Sequence, residues 1–321
     1  MLFRSSINAQ AVVFGAVFAL AFGFLYGNFR LADRGVPSAR LVFGQTVEGQ
    51  PMALDRSGLL RLGLIGSLAL AGMLAVSDAS NWMAWISYFR AVPFGQHDPL
   101  FGRDVAFYVF RLPILSTLQQ QGFLLAVVAL IGCGLIYMIG GSVVAESRYG
   151  IAFWPRLRLG ARARRHLTLL LTVALVLLAW GAWLDLARTL VTPGSGDTSA
   201  VVFGASYRDV HATIPVQRLK LVIASLAALL ALANAVREMR GVVPLSLAAY
   251  VVVTIGGGLY GGIVQQFVVT PNEQDKEQPY IVHLINATRK AFALDAVDER
   301  ELIGDAELTA KDIVEIGRAH V

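Results

Sequence analysis

The sequence has 321 residues, of which 56% are hydrophobic and 15% charged, and its mean hydropathy is +0.61. Soluble domains carry about 25% charged residues, so this surplus of apolar side chains excludes an ordinary water-soluble protein. The net charge of +5 does not indicate nucleic-acid binding, because the arginines concentrate in loops between apolar segments. A single cysteine, Cys133, excludes an internal disulfide and a cysteine-based metal cluster.

Six apolar stretches have the length of membrane-spanning helices. A bilayer core about 30 Å thick needs roughly 20 apolar residues of helix, and a helix satisfies its own backbone hydrogen bonds in lipid. We therefore predict an all-α fold, a polytopic transmembrane helical bundle, with an extracytoplasmic domain beginning over residues 265–314. The bundle covers residues 1–264, and its predicted spans are residues 9–26, 59–76, 122–144, 167–186, 219–235 and 243–264.

The distribution of arginine between the loops predicts how the spans are oriented. Positively charged residues near the ends of spans favour the cytoplasmic side. Arginines cluster in the loops after spans one, three and five, at positions such as Arg34, Arg56, Arg162, Arg164 and Arg237. These three loops are therefore predicted to be cytoplasmic, which places both the N-terminus and the C-terminal tail outside. An outside N-terminus without a signal peptide further predicts another helix upstream.

The loop over residues 77–113 is the most structured of the predicted outer loops. It is rich in aromatic residues, which favour the membrane–water interface. Asp98 followed by Pro99 is typical of a helix N-terminus, so we predict a short interfacial helix over residues 99–110 that Asp98 caps. The motif of this loop consists of Asp98, Pro99, Phe101, Gly102, Asp104, Phe107, Tyr108 and Pro113.

Two later segments are also predicted to lie outside. The stretch over residues 201–215 is too short and too polar to span a bilayer, so we predict a re-entrant or interfacial piece. Residues 280–292 have apolar side chains at helical spacing, including Ile281, Ile285 and Phe292, which predicts a surface helix. The final residues 315–321, EIGRAHV, are interpreted as a non-native tail because the string matches a translated sequencing adapter.

The strings DPLFGRDVAFYVFRLP (residues 98–113), GASYRDVHATIP (residues 204–215) and PNEQDKEQPYIVHLINATRKAF (residues 271–292) carry a resemblance. The chain resembles an uncharacterised protein family of large bacterial membrane proteins with seven helices and a long extracytoplasmic C-terminal domain. The resemblance implies that the first span here corresponds to the family's second helix. It also implies that the first helix and most of the outer domain are absent from this sequence. No activity or catalytic residue follows from the family.

Two groups of residues are candidates for binding or packing. Histidines and carboxylates from separate outer loops are weak candidates for a divalent metal site, because their spacing matches no metal motif. These candidates are His97, Asp98, Asp209, His211 and His283. Glycines at GxxxG spacing let helices approach closely in lipid, and the predicted packing positions are Gly23, Gly27, Gly257, Gly258, Gly261 and Gly262.

The predicted spans contain no charged residue at their centres, which disfavours a proton-coupled transporter. The favoured function is a non-enzymatic integral membrane protein of the bacterial inner membrane that anchors and orients an extracytoplasmic domain. The alternatives are a transporter or channel for lipid or envelope components, and an envelope enzyme whose active site lies in the missing domain. The expected partners are the lipid bilayer and other envelope proteins, with no nucleic acid, catalytic residue or cofactor.

Overall fold

The computed structural model describes residues 2–35, 40–45, 51–146, 156–193, 203–237 and 241–297. The predicted tail at residues 315–321 lies outside these ranges. The chain forms two compact units, Met1–Glu273 and Gln274–Val321. The predicted bundle, residues 1–264, falls within the first unit.

Helices dominate the described residues, as the sequence predicts, and six of them are long and apolar enough to cross a membrane. Each predicted span falls on one of these six helices. The α-helices are α1 (Leu2–Arg34), α2 (Arg56–Ser80), α3 (Trp82–Phe89), α4 (Leu112–Ile139), α5 (Ala161–Arg188), α6 (Ile214–Val236), α7 (Val242–Val264) and α8 (Glu273–Ala291).

The long helices pack in the order α2, α1, α4, α5, α6, α7. Helix α5 is the most buried of the six candidate spans. Its contacts with α4 and α6 rest on small side chains, because Ala129, Ala227 and Ala231 have no exposed surface. Small residues at helix interfaces let the backbones approach closely, which is how helices associate where no hydrophobic driving force exists between them.

The three arginine-rich loops lie at one end of this helix arrangement. Gly35, which follows α1, packs on Tyr137 of α4 and Arg162 of α5. Arg164 Nη1 donates a hydrogen bond to the carbonyl oxygen of Asn234 in α6 at 3.0 Å. The ends of α1, α4, α5 and α6 that carry the arginines therefore meet, as the prediction of one common side requires.

Two short antiparallel hairpins occur in these loops, which the sequence analysis did not predict. Strands β1 (Arg40–Gln45) and β2 (Pro51–Asp55) pair between α1 and α2, and strands β3 (Val143–Glu146) and β4 (Arg156–Leu159) pair between α4 and α5. The alternation of arginine and leucine along β4 is a period-two signal that could have indicated a strand.

Helix α4 ends before the predicted limit of span three at residue 144. Gly140 caps the helix, and Gly141 has a φ of 66°. This left-handed conformation favours glycine and interrupts the helix.

Three single π-helical turns interrupt the regular helix at the opposite end of the first unit. They are π1 (Phe107–Arg111), π2 (Asp209–Thr213) and π3 (Gln265–Val269). Each turn is closed by a backbone hydrogen bond to the carbonyl five residues earlier. The N–H donors are those of Leu112 for π1, Ile214 for π2 and Thr270 for π3.

A proline lies two residues after each π-helical turn, at Pro113, Pro215 and Pro271. Proline has no N–H to donate, and its ring clashes with the carbonyl four residues earlier. Widening the preceding turn relieves this clash. The N–H group before each proline then donates its hydrogen bond to the carbonyl five residues earlier instead of four, so the helix continues without a break.

The predicted packing glycines have different environments. A Cβ added at Gly257 would overlap the Val216 side chain of α6, and one at Gly261 would contact the guanidinium group of Arg208. At Gly258 and Gly262 the structure differs from the prediction, because an added Cβ would meet no atom within 4 Å. The same is true of two predicted packing glycines in α1, Gly23 and Gly27. Successive helical residues point about 100° apart, so the i, i+4 pair Gly257 and Gly261 shares one packed face, against Val216 of α6 and Arg208 just before π2.

We predict that Gly257→Leu destabilises the protein by about 1–3 kcal/mol, because the larger side chain overpacks the α6–α7 contact. Gly258→Leu is the matched control, since it makes the same change of helix propensity on an open face. Unfolding in mixed micelles, followed by circular dichroism, measures the difference. Equal stabilities of the two variants would contradict this packing.

Candidate functional site

The Asp98 carboxylate organises a tight turn over residues 98–103. Its Oδ1 accepts hydrogen bonds from the backbone N–H groups of Leu100 at 2.9 Å and Phe101 at 2.5 Å. Its Oδ2 accepts one from the backbone N–H of Arg103 at 2.7 Å and one from the Tyr108 hydroxyl at 2.8 Å. Four donors therefore converge on one carboxylate, which fixes the turn and connects it to π1.

Asp104 plays a similar part on the other side of the loop. Its carboxylate accepts hydrogen bonds from the backbone N–H groups of Phe94 at 3.1 Å, Gly95 at 2.8 Å and Ala106 at 2.8 Å. An isolated antiparallel bridge pairs His97 with Asp104. The two carboxylates together hold residues 94–106 in one conformation, which we call the clasp loop.

Both carboxylates of the clasp loop favour their charged form. Burial alone would raise the pKa of Asp98. Hydrogen bonds have the larger, opposite effect and hold this pKa below its usual range; their donors are the Phe101 backbone, the Tyr108 hydroxyl and the Arg103 and Leu100 backbones. The backbone N–H of Ala106 is the main cause of the lowered pKa of Asp104. Both side chains are therefore ionised at neutral pH and act as acceptors.

The short helix predicted over residues 99–110 is not present. Residues 99–101 form a turn, and helix begins only at Val105. The reason is that Asp98 bonds backbone groups as far as Arg103, and Gly102 adopts a φ of 66°. Asp98 therefore caps a turn instead of a helix. The helix that the loop does contain is α3, which the aromatic-rich sequence did not reveal.

Arg103 connects the clasp loop to the helices. Its guanidinium carbon lies 4.6 Å from the ring centroid of Phe107 and 4.6 Å from that of Trp183 in α5. A guanidinium group between two aromatic faces gains cation–π attraction that strengthens when water is excluded. The Nη1 atom of Arg103 is buried without a hydrogen-bond partner in the described residues, so the aromatic rings are its main neighbours there.

Asp98→Ala is expected to destabilise the protein by about 1–2 kcal/mol, because backbone donors lose a charged acceptor. Gln96→Ala, which changes an exposed side chain of the same loop, is the control. Chemical unfolding of both variants in micelles tests this expectation. If Asp98→Ala were as stable as the wild type, water would be replacing the carboxylate without loss of unfolding free energy, which would contradict the prediction.

The contribution of Asp98 should also depend on pH. Its pKa is lower in the folded protein than in the unfolded chain, so its stabilisation is present above the ordinary carboxyl pKa of about 4 and is lost as the pH falls. The stability difference between wild type and Asp98→Asn should therefore shrink on acidification. A difference that stays constant down to acidic pH would contradict the charged state of Asp98.

The candidate metal ligands have other partners. Asp209 accepts hydrogen bonds from the Ser206 hydroxyl at 2.9 Å and the Thr213 hydroxyl at 3.0 Å. The His211 ring lies against the Tyr207 ring, with centroids 4.1 Å apart. His283 belongs to α8. In the part of the chain that the structure describes, no three histidine, cysteine or acidic side chains lie close enough to hold a metal ion.

A histidine joins three helices at the arginine-rich end. His166 Nδ1 lies 3.0 Å from the Tyr137 hydroxyl of α4, and its Nε2 lies 3.0 Å from Asn28 Oδ1 of α1. The Asn28 amide nitrogen donates to the carbonyl oxygen of Phe24 at 2.7 Å. The atom of Asn28 that faces His166 is therefore its side-chain oxygen, which accepts a hydrogen bond. The network therefore assigns a proton to Nε2, and the tyrosine hydroxyl donates to Nδ1.

The sequence analysis missed this network and a second buried polar contact. His166 immediately precedes the predicted start of span four at residue 167, so it was assigned to the loop. Gln119 of α4 is buried and donates from its amide nitrogen to the carbonyl oxygen of Leu177 at 2.9 Å, with the glutamine packed against Gly181. Scanning for polar residues as well as charged ones within and beside the spans would have found both.

We expect His166 and Tyr137 to be energetically coupled. A double-mutant cycle with His166→Ala and Tyr137→Phe should give an interaction free energy of about 0.5–3 kcal/mol, as for other directly bonded pairs. Thr172→Val provides the control, because its hydroxyl bonds only a carbonyl of its own helix. Coupling of His166 to Thr172 as large as its coupling to Tyr137 would contradict a specific network.

The fold and the candidate site together define a polytopic helical membrane protein. The chain belongs to the uncharacterised protein family UPF0182, whose model matches residues 1–318. This membership confirms the resemblance drawn from the strings in the loops.

Curated relatives come from distant bacteria. The chain is 35% identical over 301 residues to a UPF0182 protein of Cupriavidus necator, covering 92% of this chain and 32% of that protein. It is 34% identical over 305 residues to one of Streptomyces coelicolor, covering 93% of this chain and 29% of the relative. The chain thus spans about a third of the length of these relatives. No solved structure matches it.

Proposed function

We propose that this protein is a non-enzymatic integral membrane protein that anchors and orients an extracytoplasmic domain at the bacterial inner membrane. The clasp loop carries the proposal. Its two aspartates are satisfied by the loop's own backbone, and its arginine is packed against α5. A loop fixed in this way gives a rigid surface at the end of the helices opposite the arginine-rich loops.

The length of the relatives supports the same function. They extend well beyond the region that this chain matches, which suits helices that anchor a larger protein in those relatives. In our proposal the loops at the arginine-rich end are cytoplasmic, and the clasp loop and the residues after π3 are extracytoplasmic. In this arrangement the helices contact lipid, and the extracytoplasmic loops are free to contact other envelope proteins.

Cysteine accessibility tests the proposed orientation. Single cysteines replace Gln96 in the clasp loop, Gln278 in α8 and Leu159 in β4, in a Cys133→Ala background that removes the native thiol. A membrane-impermeant maleimide applied to intact spheroplasts should label the first two positions, and Leu159→Cys only after the membrane is permeabilised. Labelling of Leu159→Cys from outside, with Gln278→Cys protected, would reverse the orientation and contradict the anchor.

The rigidity of the clasp loop can be tested separately. Arg103→Ala should accelerate hydrogen exchange at the backbone amides of residues 94–106, because the loop loses its packing on Trp183. Arg90→Ala removes the same charge from an exposed site just before the loop and should leave exchange unchanged. If Arg103→Ala also left exchange unchanged, the loop would be held without the aromatic contact, and the anchor would lose its main support.

A second function, lipid transport, is favoured by one observation. A groove of about 310 Å³ lies between α5 and α6, lined by apolar side chains such as Val176, Leu229 and Leu232. Its lining suits an acyl chain and offers no charged group to a polar solute. Reconstituted protein should not accelerate the exchange of fluorescent phospholipid between leaflets if the anchor is its function. Acceleration that Ala228→Trp abolishes would favour transport, since this residue lines the groove.

A further inference from the structure

Asp78, near the end of α2, is a carboxyl group in an unusual position. Its side chain is only 3% exposed, and its Oδ2 has no hydrogen-bond partner among the described residues. The polar side chains that act on its carboxyl group are those of Trp85 of α3 and Gln121 of α4, which are neutral hydrogen-bond donors. The Trp85 indole Nε1 is also buried and without a partner in the described residues. The Trp85 side chain therefore brings helix α3 close to the buried carboxyl group.

Within the described residues, no cation offsets a charge at this position. Asp185, another acidic residue within the candidate spans, forms an ion pair with Arg188 at 2.5 Å. Asp78 has no corresponding partner in the ranges that the structure describes. The side chains that face it from α3 and α4 do not titrate, and no charged group of α1 acts on it.

The contrast with Asp98 shows what an ionised carboxylate requires. Asp98 receives four hydrogen bonds and is only partly buried. Asp78 is more buried, and its Oδ2 has no hydrogen-bond partner in the described residues. An unpaired charge in a low-dielectric interior costs several kcal/mol, and buried acidic groups respond by taking up a proton. A proton also gives the carboxyl group a donor of its own.

We propose that Asp78 is a proton-binding site in the membrane-spanning part of the protein, next to Trp85 of helix α3. A proton from water forms an O–H bond with a carboxylate oxygen, and the neutral acid remains beneath Trp85. The site binds the proton more tightly while α3 covers it, because uncovering Asp78 admits water that stabilises the carboxylate. By linkage, proton binding favours the packed position of α3.

Infrared spectroscopy of the purified protein in nanodiscs tests the proposal directly. At neutral pH, the difference spectrum between wild type and Asp78→Asn should show the loss of a carboxylic-acid C=O band. The difference spectrum for Asp98→Asn should instead show the loss of carboxylate bands. Asp78→Glu keeps an acid and should retain the C=O band at a shifted frequency. Loss of carboxylate bands in Asp78→Asn at neutral pH would overturn the proposal.

Unfolding provides a second readout that does not depend on assigning a band. In the proposal, Asp78 keeps its proton in the folded protein and releases it in the unfolded chain. The folded protein should therefore lose stability as the pH rises above the ordinary carboxyl range. Wild type should therefore lose stability relative to Asp78→Asn between acidic and alkaline pH. Parallel pH profiles for the two proteins would overturn the proposal even if both fold well.

Discussion

A polar group in hydrocarbon has no water to bond, and this constraint accounts for most local features of the structure. Pro113, Pro215 and Pro271 each remove a backbone donor, and a π-helical turn precedes each of them. The turn lets Leu112, Ile214 and Thr270 bond a carbonyl five residues earlier. The helices can therefore contain proline at the membrane boundary without losing continuity.

The same constraint acts on side chains. Gln119 donates to a carbonyl of the neighbouring helix, and the hydroxyls of Thr168 and Thr172 bond carbonyls of their own helix. His166 uses both ring nitrogens within one network. Gln119 and His166 fix the positions of helices relative to one another, so their role follows from packing. Asp78 is the exception, because its Oδ2 is buried without a hydrogen-bond partner in the described residues.

Composition was sufficient to predict the class of fold, because the spans are long and apolar in the sequence itself. The six candidate helices and the common end of the arginine-rich loops follow from length and charge alone. The hairpins between α1 and α2 and between α4 and α5 were not predicted, since loops were assessed for charge and not for alternation. The glycines of α7 were predicted as one group, but helical geometry divides them into a face towards α6 and an open face.

The candidate site shows a sharper limit of prediction. Asp98 was predicted to cap a helix because aspartate before proline is a local signal, but the element whose backbone it bonds is a turn. That outcome depends on Gly102 and on the reach of the carboxylate to Arg103, which are contacts beyond one helical turn. Asp78 carries the same functional group but lacks such neighbours. Whether a carboxyl group becomes an acceptor or a proton carrier depends on which helix folds over it, and no local pattern in the sequence encodes that.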